Sequence, residues 1–171
     1  MKYLELECTR SAEEDLLRIE ESFPGLSMRL EVYSLKKTRK EKKTTRSWKY
    51  KSISSMVSAA LNLAFFGYEE IVSPYELIRA SEEEVKSILT NKLFTIGLTK
   101  SYLSMSSWVV GVFQALKEAG GEDAVIYRLI KSTGPFEKCI WNECVLIYGK
   151  ELKRVVLFIV LYQNAVNSPI L

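Results

Sequence analysis

Between residues 36 and 51 stand Lys36, Lys37, Arg39, Lys40, Lys42, Lys43, Arg46, Lys49 and Lys51, opposed only by Glu41. The segment carries +8 in a chain whose net charge is +3, which leaves −5 for everything outside it. Like charges held this close repel one another, and a polyanion relieves that repulsion. Trp48 and Tyr50 alternate with Ser47, Lys49 and Lys51. On a strand over 46–51 both rings would face one side and both lysines the other. Rings that stack on bases, set beside cations that hold phosphates, are the chemistry of single-stranded nucleic-acid binders, and the lysines would suit a duplex backbone equally well. The nine cations with Trp48 and Tyr50 therefore form the predicted nucleic-acid site. The same residues also fit a solvated protrusion, with lysines blocking an edge strand and the two rings packed on the core. An acidic membrane surface is a weaker fit, because no amphipathic helix or lipidation motif accompanies the charge.

Other chemistry is constrained by what the chain lacks. It contains no histidine. Ser-His-Asp and Cys-His arrangements, imidazole metal ligands and a histidine general base are thereby excluded. The cysteines Cys8, Cys139 and Cys144 make no even disulfide framework, and the C-x4-C spacing of the last two is loose for zinc, so buried thiols are expected. Glu82, Glu83 and Glu84 crowd together, but the first turn of a helix accounts for them through its dipole. Glu5, Glu7 and Glu31 on neighbouring predicted strands could gather as in a metal-dependent nuclease. The expectation is nevertheless a non-enzymatic protein with no cofactor and no metal.

The elements that must position these residues fall into two parts. Leu4, Leu6 and Cys8 alternate with charged residues as a strand would. Ser11 and Glu14 have capping-box spacing ahead of a helix carrying Leu16, Ile19 and Phe23, and Pro24-Gly25 ends it. Met28, Leu30 and Val32 alternate again. With the strand at 46–51 this predicts a small N-terminal β-α-β-β unit whose last two strands are joined by the basic hairpin. From Ile53 onward the apolar spacing reads as helical. Met56, Val57, Ala60, Leu61 and Ala64 form one stripe, Ser73-Pro74 and Ser81-x-x-Glu84 mark further starts, and Val125, Ile126, Leu129 and Ile130 suggest another short helix. Residues 155–162 are apolar on all sides, which fits a buried helix or a buried strand.

The expected fold class is thus α+β and predominantly α-helical, with the N-terminal unit followed by a bundle of about five to six helices. All 171 residues are expected to form one compact domain, 1–52 as a β-containing subregion and 53–171 as a helical body. The N-terminus builds no secretory h-region, and no apolar run reaches the roughly 18 residues a membrane span needs, so a soluble cytoplasmic protein is expected.

Leu77-Ile78-Arg79-Ala80-Ser81-Glu82-Glu83-Glu84-Val85, followed by Gly97-Leu98-Thr99-Lys100-Ser101 and Phe113, resembles the helical core-binding segment of tyrosine recombinases. That resemblance implies a DNA-clasping module, without the histidine and arginine framework of a catalytic domain. Three functional expectations stand. The first is a nucleic-acid-binding protein acting through the arm. The second is a small helical subunit of a larger assembly, comparable in gross anatomy to those of CRISPR effector complexes, with protein partners or self-association. The third is a carboxylate-dependent nuclease.

Overall fold

The computed structural model describes residues 1–36, 52–65, 72–97, 102–130 and 133–164, with the side chains of 102–104 excepted. The chain order is β1 (Lys2–Leu4), α1 (Glu7–Ser22), β2 (Leu26–Ser34), α2 (Ile53–Ala64), β3 (Leu77–Arg79), α3 (Glu82–Thr95), α4 (Tyr102–Gly120), β4 (Val125–Leu129), β5 (Trp141–Gly149) and β6 (Arg154–Tyr162). The strands form one six-stranded sheet in the order β1-β2-β6-β5-β4-β3, and every pairing is antiparallel.

This overturns the predicted bundle of five to six helices. Only four α-helices occur among the described residues, and the C-terminal part supplies four of the six strands. The apolar run at 155–162 is β6, the central strand. It pairs with β2 on one side and β5 on the other, and Val155 to Leu161 are all buried. A strand covered on both faces has no polar side to alternate with, so its sequence loses the period of two. The interval Val125–Leu129 is also a strand. Its apolar pairs matched a helical spacing, but a β-branched and aromatic pentapeptide between Gly121 and Gly134 is too short for a helix to win.

Two cores sit on the two faces of the sheet. On one, α1, α3 and α4 cover Met28, Leu30, Val32, Val145, Ile147, Val156, Phe158 and Val160. On the other, α2 with Phe136 and Val72 covers Tyr33, Cys144, Leu146, Val155, Leu157, Ile159 and Leu161. The odd and even positions of β6 thus feed different cores. The apolar stripe of α2 behaves as its spacing predicts, with Met56, Val57, Ala60, Leu61 and Ala64 all buried, and Ser52 caps its start.

Several expected boundaries move. Helix α1 begins at Glu7 behind Leu6, so Ser11 lies inside the helix and caps nothing, and the first strand stops at Leu4. Ser73-Pro74 opens only a single 3-10 turn, which runs into β3. Ser81 does cap α3, accepting a hydrogen bond from the Glu84 N–H at 3.2 Å. The recombinase-like stretch places Leu77, Ile78 and Arg79 in an edge strand, which is not the helical pair that the resemblance implies. The strand expected over 46–51 lies outside the described residues. Among the described residues no helix is long and apolar enough to cross a membrane.

One glycine locks the helical layer onto the sheet. At Gly149, the last residue of β5, an added Cβ would lie 1.7 Å from the Gly120 carbonyl oxygen at the end of α4. No side chain fits between these two backbones. We expect Gly149→Ala to lower unfolding stability by about 3 kcal/mol, the upper part of the overpacking range. Denaturant unfolding followed by circular dichroism checks this, and a loss below about 0.5 kcal/mol, the scale of an ordinary surface substitution, would show the contact to be soft.

Candidate functional site

The predicted arm falls between β2 and α2 in the chain. Of its residues, Lys36 is described and exposed. Lys37, Arg39, Lys40, Lys42, Lys43, Arg46, Trp48, Lys49, Tyr50 and Lys51 lie outside the described residues. What the fold does define is the ground from which the arm departs. The register aligns Lys2 of β1 with Ser34 of β2, Ser34 with Arg154 of β6, and Arg154 with Gly149 of β5. The last residues of β2 are tied down at the same end, because the Leu35 N–H donates to the Lys153 carbonyl at 2.8 Å and the Lys36 N–H donates to Ser34 Oγ at 3.2 Å.

Four exposed lysines therefore share this end of the sheet: Lys2, Lys36, Lys150 and Lys153. Lys150 and Lys153 belong to the turn joining β5 to β6, and Lys153 takes a left-handed backbone at φ 53° to close it. Arg154 is half-buried and donates to the Ala119 carbonyl at 3.1 Å, so it serves the fold. Glu122, Asp123 and Glu151 lie on the α4–β4 side of the same end, where Asp123 accepts from the Glu151 N–H at 3.0 Å. The basic residues nearest the arm are those on the β1–β2 side and in the β5–β6 turn. Sequence spacing alone gave no sign of this convergence, since Lys2 and Lys153 are brought together only by the order of the strands.

The other charged constellation is structural. Glu143 on β5 is 3% exposed and faces the helical layer. Arg128 Nε donates to its Oε1 at 2.6 Å and Arg128 Nη2 to its Oε2 at 3.0 Å, while Lys92 Nζ of α3 reaches the same Oε2 at 2.9 Å. Lys92 Nζ also donates to the Asn142 carbonyl at 2.8 Å and lies 5.3 Å from the centre of the Trp141 ring. Glu84 completes the group, 3.5 Å from Arg128 Nη1. The hydrogen bonds that Arg128 donates to Glu143 hold its guanidinium more firmly protonated than usual. The group joins β4 and β5 to α3, and each charge is answered by another. A lone glutamate inside Asn142-Glu143-Cys144-Val145-Leu146 was a legible sign of a buried partner, and the sequence reading passed over it.

The remaining candidates separate. Glu5 lies beyond β1, Glu7 opens α1, and Glu31 on β2 accepts from the Tyr33 hydroxyl on the opposite face of the sheet from Glu143. Among the described residues no three carboxylates or thiols gather as a metal site. Glu82 and Glu83 meet Lys86, and Glu82 also meets Lys117 at 3.0 Å, so that cluster is neutralised within the helical layer. The three cysteines are free thiols; Cys144 is fully buried, and burial raises the pKa of all three.

No family model matches the chain. Two uncharacterised proteins of Encephalitozoon cuniculi (strain GB-M1) are each 25% identical to it over 161 residues, spanning 92% of this chain and 95% of each relative. Among solved structures, two crystal forms of citrus MAF1 share the fold. One aligns with a TM-score of 0.65 at 18% identity over 91% of this chain and 98% of its own. The other aligns with a TM-score of 0.61 at 19% identity over 81% and 88%. This likeness in fold agrees with the mixed sheet-and-helix architecture and not with a helical bundle.

Glu143→Gln should remove the negative centre of the Arg128–Lys92 pair and leave both cations partly desolvated. Breaking such a pair from one side costs about 3–5 kcal/mol, and the part-exposed Lys92 argues for the lower figure. Urea unfolding of the variant measures it, and a change under about 1 kcal/mol would mean that the charges contribute as a surface pair does.

Proposed function

We propose that this protein is a non-enzymatic nucleic-acid-binding protein, in which the segment Lys36 to Lys51 and the lysine-bearing end of the sheet together hold a phosphate backbone. The observation that carries this reading is the placement of Lys2, Lys150 and Lys153 at the end of the sheet from which the +8 segment departs. An isolated basic arm is equally at home as a solvated protrusion. A basic arm that continues into exposed lysines from two other parts of the chain offers a longer track for phosphates. Trp48 and Tyr50 would add base stacking, which favours single strands. The rigid sheet supplies the platform, and binding and positioning are its whole task.

Three free thiols fit a reducing, cytoplasmic compartment. The acidic surface of α1, with Glu7, Glu13, Glu14, Asp15, Glu20 and Glu21 against Arg10 and Arg18, would repel the same polyanion and confine it to the basic end.

Anisotropy of labelled single- and double-stranded DNA and RNA at two salt concentrations tests the proposal. On duplex, the log–log slope of affinity against salt is expected near −0.9 per phosphate contacted. Alanine at Lys40, Lys42, Lys43 and Arg46 together should abolish binding. Glutamate at both Lys150 and Lys153 should weaken it about tenfold, through the loss of phosphate contacts and added repulsion. Undiminished binding by the fourfold variant would remove the arm from the site. Undiminished binding by the double variant would remove the sheet end.

A further inference from the structure

We draw no further inference here: the strongest candidate, the exposed apolar corner formed by Tyr75, Ile78 and Ile130 at the β3 edge of the sheet, is a surface for which nothing in the structure shows what covers it.

Discussion

Strand β6 is the constraint on which the rest of the molecule depends. It forms a nine-residue ladder with β2 and another with β5, and its side chains enter both cores. Helices α1, α3 and α4 rest on one set of its residues and α2 on the other, so the strand sets the spacing of every layer. A shift of one position would exchange the two sets, placing Phe158 where Leu157 belongs under α2. Register is held by the β5–β6 turn at Gly149 and Arg154, by the Gly149–Gly120 backbone contact, and by the ion group around Glu143 a few residues along the same strand. These devices lie at the start of β6 and on its β5 side, because the buried run of β6 has no polar side chain with which to fix its own position.

Charge is partitioned over this frame. Lysines collect where the sheet ends at Lys2, Lys36, Lys150 and Lys153, while carboxylates collect along α1. The two fields differ in sign. Were a polyanion to approach, this partition would orient it toward one end before any contact formed.

The parts of this arrangement legible in the sequence are those governed by local patterns. Strand β2 shows its alternation because one of its faces is only half-covered along most of its length, so Arg29 and Glu31 remain between Met28, Leu30 and Val32. The stripe of α2 and the serine cap of α3 are equally local. What escaped reading is governed by partners far away in the chain. Strand β5 looks featureless and residues 155–162 left helix and strand equally open, because burial on both faces erases the alternation, and β4 looks helical because five residues are too few to show a period. The convergence of Lys2 with Lys153 depends on strand order, which no local signal carries. The arm itself was legible from composition alone, because charge density needs no fold to be seen.

The strand order also dictates how the molecule can be made. Leu30 pairs with Phe158, so the earliest long strand waits for the last to emerge from the ribosome before its inner edge is covered. Without β6, the pair β1–β2 and the trio β3–β4–β5 would have no strand in common, and each would present an open apolar edge. Such edges are templates for pairing with other chains. Pairings closed over most of a chain are slow to form and leave partly folded states exposed. Synthesis interrupted ahead of Arg154 would therefore release two unfinished half-sheets in place of a shortened protein. The nine residues of β6 are what join the two groups of strands into one sheet.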